Sequence, residues 1–224
     1  MMIFPISLPW KLDRRVVCGG VLAAGLLAGG CGSNRYKPVS LSVDAAWSPT
    51  SARQENAATN PPTLVFVEFV RTPQDVTDQM LKMAHITSSD VVCDLGCGDG
   101  RILIAAAKQY GCRAIGYDLD PLRVQEAREN AKRQGVSHLV TVEQKNVLTV
   151  NLEGVTVVTV YMGTEINARL VPQLSRLPIG ARIVSHNFGL GTLRPDEAVE
   201  MVSHEDDRRH RLYLWHCPLA VDAN

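Results

Sequence analysis

The stretch that most limits what this chain can fold into is VVCDLGCGDGR, residues 91–101. An apolar run ends in an acid, three glycines follow at every second position, and a helix-like segment comes next. Glycines spaced in this way tolerate φ > 0 and let backbone approach a ligand with no Cβ between them. The following helix points its first N–H groups into the same space. A dinucleotide loop would read G-x-G-x-x-G. Counted from Gly96, the sixth position is Arg101, so that pattern fails. The spacing is D-x-G-x-G-x-G, with Asp94 two residues before the first glycine. A carboxylate there repels a pyrophosphate and suits a cation.

The pattern around this stretch predicts alternating strands and helices. TPQDVTDQMLKMAHI puts Val76, Met80, Met83 and Ala84 on one helical face, with Asp75 and Asp78 in the first turn. DVVCDL, RAIGYD, LVTVEQ, VTVVTVYM and ARIVSHN read as strands. The fourth is apolar on both faces, as a central parallel strand is. RILIAAAKQYG, PLRVQEARENAKRQG and INARLVPQLSRL read as helices, the last kinked at Pro172. EAVEMVSHE and RHRLYLWHC alternate as a hairpin around DDRR. The expected fold is α/β: a doubly wound, mostly parallel, Rossmann-like sheet of seven strands with a C-terminal antiparallel hairpin. Ligands of such sheets bind beyond the C-terminal strand ends, where residues 94–100 fall. His204 and His210 flank the hairpin turn and read as part of a solvated tip, and no metal is expected.

The acid and glycines of DLGCGDG resemble motif I of class I S-adenosylmethionine (AdoMet) methyltransferases. That ligand carries an ammonium and a sulfonium and no phosphate. The resemblance implies AdoMet as cofactor, held by Asp94, Gly96, Cys97, Gly98 and Gly100. It implies that Asp118 in GYDLDP takes the ribose hydroxyls, with Asp120 as the fallback. Asn146 stands where the family usually has aspartate and reads the adenine amino group, which its carbonyl can still accept. Val147 would meet adenine through its backbone N–H. The segments FVEFVRTPQDVTDQMLKMA, VTVVTVYMGTEINARLVPQLSRL and GARIVSHNFGLG, in that order, are similar to the ATP synthase c-subunit lysine N-methyltransferase family and its bacterial relatives. The similarity covers about residues 64–191. Arg71-Thr72-Pro73 replaces that family's proline-threonine-proline segment, and Asn187 follows His186 where bacterial members often have aspartate.

This resemblance implies methylation of a protein lysine. Methyl transfer from a sulfonium is an in-line displacement, so the protein mainly holds nucleophile, carbon and sulfur collinear and about 3 Å apart. A lysine must also lose a proton from a group of pKa about 10.4, and desolvation beside a cation favours the neutral amine. Tyr161, His186 and Asn187 stand at strand ends and are the candidates for orienting that amine. Thr72 and Pro73 are placed to close the pocket, Thr72 against the cofactor, and Asp99 to cap the next helix. Two other readings compete: a small-molecule methyltransferase, and an exported, non-catalytic AdoMet-fold binding module. Lys+Arg and Asp+Glu both total 23, which gives no general field for nucleic acid. Tyr161-Met162-Gly163-Thr164 also replaces the Asn/Asp-Pro-Pro-aromatic segment typical of base-amine methyltransferases.

The N-terminus carries a different message. Lys11, Arg14 and Arg15 precede an apolar run at residues 16–30, and Cys31 is next. That order has the form of a secretory signal, and LAGGC resembles a bacterial lipobox with Ala28 in place of the usual leucine. Arg14-Arg15 faintly resembles a twin-arginine signal. The expectation is a leader over residues 1–31, a disordered linker over 32–62 and a catalytic domain over 63–224. The protein would be membrane-associated through Cys31, with a cytoplasmic location as the alternative. No C-x-x-C pair occurs among the six cysteines, so a disulfide or zinc framework is not expected. AdoMet is made in the cytosol, whereas positive residues before the apolar run favour export of the domain C-terminal to it. The two signals conflict.

Overall fold

The computed structural model describes residues 38–41 and 68–220. The leader, Cys31 and most of the expected linker lie outside the described residues. The elements are β1 (Val39–Leu41), α1 (Gln74–Met83), β2 (Val91–Leu95), α2 (Arg101–Tyr110), β3 (Arg113–Asp118), α3 (Pro121–Arg133) and β4 (Val140–Gln144). They continue with β5 (Val157–Val160), α4 (Thr164–Leu174), β6 (Arg182–His186), β7 (Glu197–Val202) and β8 (Arg209–His216). All strands join one sheet of order β1-β7-β8-β6-β5-β2-β3-β4. The five strands β4, β3, β2, β5 and β6 are parallel neighbours. β8 inserts antiparallel between β6 and β7. The expected seven strands are all present. The eighth, β1, pairs antiparallel with β7 and falls inside the stretch read as linker. Three residues of VSL alternate too briefly to show as a strand in the sequence.

Each face of the sheet carries its own core. Val92, Val157 and Val184 point to the face covered by α1, α2 and α3 through Val76, Met80, Leu103 and Ala127. Cys93, Val158 and Ile183 point to the other face, against Leu170, Leu174 and Trp215. This period of two explains why the central strands are apolar throughout. β5 is shorter than VTVVTVYM suggests. Thr156 lies just before it, with its hydroxyl accepting the Val91 N–H and donating to Asp90. Tyr161 and Met162 lie past the strand end, where they are free for other use. Helix α4 runs through Pro172 and ends two residues later.

The N-terminal ends of the strands are tied by one buried ion pair, Arg182 with Asp90. Arg182 also donates to the Ala84 carbonyl at the end of α1 (2.9 Å), and Asp90 accepts from the Thr87 N–H and hydroxyl. Burial opposes the charge on Asp90, but bonds from Thr156, Thr87 and Arg182 outweigh it and hold the carboxyl below its usual range. A carboxyl so lowered stabilises the fold at neutral pH, and the contribution is lost as pH falls through the carboxylate range. Asp90→Ala leaves Arg182 buried without its partner. Denaturant unfolding at neutral pH is expected to show a loss of about 3–5 kcal/mol, shrinking when the comparison is repeated in acid.

Candidate active site

The sheet changes winding direction at β2. Its neighbours β3 and β5 are reached by crossovers leaving in opposite senses, which opens a crevice beyond the C-terminal ends of β2 and β5. A cavity of about 230 Å³ occupies it. Its floor is the turn after β2. The Gly96 and Cys97 N–H groups both donate to the Tyr117 carbonyl, at 2.9 and 3.1 Å, which folds the loop back over β3. Gly96 has φ +84°, and a Cβ there would stand 2.1 Å from the Met162 sulfur. Gly100 has φ +78° and caps α2. A Cβ on it would meet the Ala127 Cβ at 2.9 Å, so the glycine lets α3 pack close. The loop is therefore shaped for close approach to its own fold, with Gly96 also on the cavity wall.

Of the residues expected to hold the cofactor, Asp94, Gly96, Cys97, Asp118, Asn146, Val147 and Thr72 all line the cavity, and Tyr161 does too. Gly98 and Gly100 do not. Gly98 gives its N–H to the Asp118 carboxylate at 2.9 Å, so it positions the acid. Asp118 also accepts from the Asp120 N–H (3.0 Å), and Asp120 caps α3 through the Leu122 N–H (2.8 Å). The Asn146 side-chain carbonyl accepts from the Leu148 N–H at 3.0 Å, which turns the chain after β4 and leaves a lone pair for another donor.

Two candidates are not brought to the cavity. Asn187 has φ +60° at the end of β6, where its N–H donates to the Arg211 carbonyl (2.7 Å) and its side-chain carbonyl accepts the Arg211 N–H (2.9 Å). Its polar atoms complete the β6–β8 ladder, so the role of orienting an amine is replaced by a structural one. His186 is fully buried behind the wall, with the Tyr161 ring tilted against it at 4.0 Å between ring centroids. Burial pulls its imidazole down to about 3, so it is neutral. The hairpin turn is exposed over residues 204–209, as expected, but it is anchored at its base and His210 is not part of the solvated tip. Asp75 at the start of α1 accepts from the Ser203 hydroxyl and the His204 N–H, both at 2.8 Å, and His210 is buried. Sequence periodicity carries no signal for such a long-range contact.

Asp99 does more than cap α2. Its carboxylate takes Arg101 at 2.7 Å and Arg71 at 3.2 Å, and Arg101 also donates to the Thr72 carbonyl at 2.5 Å. This clamp fastens the segment before α1 to the glycine loop. Burial raises the cost of ionising Asp99, and the Arg101 bonds reverse that, leaving its carboxyl below the ordinary range. Asp94 differs. It is enclosed, with the Thr159 hydroxyl donating to it (2.7 Å), and burial reinforced by Asp118 and Asp99 pushes it up to about 7. Glu68, Asp94, Asp118 and Asp120 line the cavity alongside the arginine-paired Asp99, against Arg101 and Arg123. This donor set repels phosphates and accepts cations and hydroxyls. It fits AdoMet, with its sulfonium, ammonium and ribose diol. Among the described residues no cluster of His, Cys, Asp or Glu can hold a metal.

A parallel sheet with this switch point, this glycine turn and this acid-walled cavity defines a class I AdoMet-dependent methyltransferase. The comparisons place it more closely. Residues 94–197 match the model of the ANTKMT methyltransferase domain. A protein-lysine N-methyltransferase of Saccharolobus islandicus is 36% identical over 151 residues, which span 66% of this chain and 92% of that protein. The mouse adenine nucleotide translocase lysine N-methyltransferase is 41% identical over 117 residues, covering 51% of this chain and 49% of the relative. Among solved structures, a Salinibacter ruber protein described as an RNA methyltransferase, in complex with S-adenosyl-L-homocysteine, superposes with a TM-score of 0.63 at 38% identity, over 69% of this chain and 98% of that one. The chain belongs to the same methyltransferase family as the Saccharolobus islandicus protein, and its cofactor is AdoMet.

The state of Asp94 should be visible in cofactor binding. Below about pH 7 the empty site holds a proton on this carboxyl. A cationic ligand favours the anion and must displace that proton, so affinity falls as pH falls. Calorimetric titration of AdoMet is expected to lose up to about tenfold in affinity per pH unit below that point. Asp94→Asn is expected to bind weakly at every pH and to lose the dependence. Gly96→Val, which cannot take φ +84° without strain, is expected to bind no AdoMet.

Proposed function

We propose that the protein transfers a methyl group from AdoMet to the side-chain amine of a protein lysine. The observation that carries this reading is the acid excess of the cavity, which draws in a cationic acceptor as readily as a cationic cofactor. Similarity to two lysine N-methyltransferases supports it. AdoMet, when bound, supplies an electrophilic methyl carbon on a good leaving group. The chain's own residues then have three tasks. Asp94, Gly96, Cys97, Asp118, Asn146 and Val147 hold the cofactor. Thr72, which the sequence pattern set against the cofactor, and Tyr161 both line the cavity, and in this reading they face the acceptor and orient it. The Arg71–Asp99–Arg101 clamp keeps the segment carrying Thr72 closed over the glycine loop, which excludes water from the amine and favours its neutral form.

We further propose that the apolar run at residues 16–30 and Cys31 hold the domain at a membrane surface, where membrane proteins would be its nearest substrates. The form of the leader supports this. The cytosolic origin of AdoMet favours a cytosol-facing domain, and protease protection of fractionated membranes tests the orientation. Protein released into the soluble fraction with an intact N-terminus would overturn the tether.

The acceptor class separates cleanly. Tritium-methyl AdoMet is offered in parallel to a protein lysate, a metabolite extract and total RNA. Label is expected in protein and, after acid hydrolysis, in methylated lysine. Label confined to metabolites would establish a small-molecule methyltransferase, and label confined to RNA would give the chain the acceptor named for its Salinibacter relative.

A further inference from the structure

A chain of buried polar groups runs from the cavity to the β7–β8 turn. The Thr72 hydroxyl, on the cavity wall, lies 3.2 Å from His186 Nδ1. His186 Nε2 lies 2.8 Å from His210 Nδ1. His210 Nε2 lies 3.1 Å from an Asp206 carboxylate oxygen. Thr72, His186 and His210 are all nearly inaccessible to water, at 4%, 0% and 5% exposure. Local sequence gives no sign of this chain. Thr72 and His186 are 114 residues apart, the β6–β8 ladder brings His210 beside His186, and Asp75 anchors Ser203 and His204 at the start of α1.

A neutral imidazole donates from one nitrogen and accepts at the other, so each bond in the chain fixes the next. Asp206 supplies the direction. Partial burial opposes its charge, but bonds from His210 and the Arg208 N–H hold its carboxyl below the usual range, so it is ionised and can only accept. His210 Nε2 therefore carries the proton. When the His210 ring carries a single hydrogen, Nδ1 is an acceptor, and His186 Nε2 donates to it. His186 Nδ1 is then an acceptor in turn, and the Thr72 hydroxyl donates to it. The hydroxyl hydrogen is turned away from the cavity, and the oxygen lone pairs remain on the cavity side.

We propose that Asp206, acting through His210 and His186, sets the Thr72 hydroxyl as an acceptor toward the methyl-accepting amine. Thr72 is the catalytic residue, because it touches the substrate; Asp206, His210 and His186 are positioning residues. The arrangement answers a requirement of the chemistry. A neutral amine has two N–H bonds to place and one lone pair that must point at the methyl carbon. A fixed acceptor on the wall takes an N–H and directs the lone pair. A hydroxyl free to rotate would also donate to that lone pair and block it. The proposal rests on an amine acceptor, but the proton positions can be read without any substrate.

The test has two arms. Nitrogen-15 NMR of the cofactor-free protein, at a pH above the ordinary histidine range, reads which ring nitrogens carry hydrogen. His186 and His210 are both expected to be protonated at Nε2 and bare at Nδ1. The opposite tautomer on either ring overturns the proposal. In Asp206→Asn the amide oxygen can still accept, so the tautomers should persist; in Asp206→Ala they should become mixed. The kinetic arm uses Thr72→Val, which keeps the shape and removes the hydroxyl. It is expected to lower kcat at least about tenfold, with AdoMet affinity changed less than about twofold, and Thr72→Ser is expected to restore most of the rate. Asp206→Ala should lower kcat by a smaller factor, and Asp206→Asn should not. Equal rates for Thr72→Val and wild type overturn the proposal. If lysine is not the acceptor, the methyl-label experiment fails while the NMR arm still decides the tautomers, so the two readings stand or fall separately.

Discussion

Everything in this molecule is arranged around a carboxyl group that has been taken out of water. Asp94 lies near the end of the central strand, is nearly inaccessible and receives a hydrogen bond from Thr159 on the adjacent strand. The parallel pairing of β2 with β3 and β5 puts it there, because a strand flanked on both sides by parallel neighbours ends in the crevice where the winding reverses. Two further acids, Asp118 and Asp99, stand close enough to push its pKa up. Such a cluster is a poor way to stabilise a fold and a good way to receive positive charge. The arginine clamp on Asp99 relieves part of the repulsion and at the same time fastens the N-terminal segment over the loop.

Much of this architecture is legible in the sequence because it is local. Strand and helix periods, the glycine spacing and the acids that close β2 and β3 are fixed within a few residues. Asp94, Gly96, Asp118, Asn146 and Val147 can be picked out because motifs of this kind are contiguous. Asn187 misleads for the opposite reason. Its position after β6 looks like a strand end facing the crevice, but its partner is Arg211, on a strand that folds in from 24 residues later. His186 reads as a site residue and lies one layer behind the site. The hairpin turn reads as solvated because DDRR is charged, and residues 204–209 are exposed, but the docking of Ser203 on Asp75 depends on a contact spanning 128 residues. The strand β1 escapes notice because three residues show no period.

The wall of the cavity is assembled from parts with different kinds of support. The glycine loop is held by backbone bonds to β3 and by the fit of α3 against Gly100. The segment bearing Thr72 has no strand or helix of its own and depends on side chains: Arg101 below, His186 behind and the clamp beside it. The cofactor side of the site is thus part of the rigid sheet, whereas the acceptor side hangs on a few polar contacts. Changes of acceptor can accumulate on that side without disturbing the cradle.

The position of β8 has a consequence for how the protein is made. Residues 209–216 fill the slot between β6 and β7, although β7 is synthesised first. A ribosome that has released everything through β7 has produced the whole glycine loop and its acids, yet β6 still presents an open edge and the chamber lacks the buried pair behind Thr72. Until the final segment threads into that gap, β6 and β7 have no strand between them to pair with. Early termination of translation would yield a chain with every recognisable motif intact and no finished catalyst.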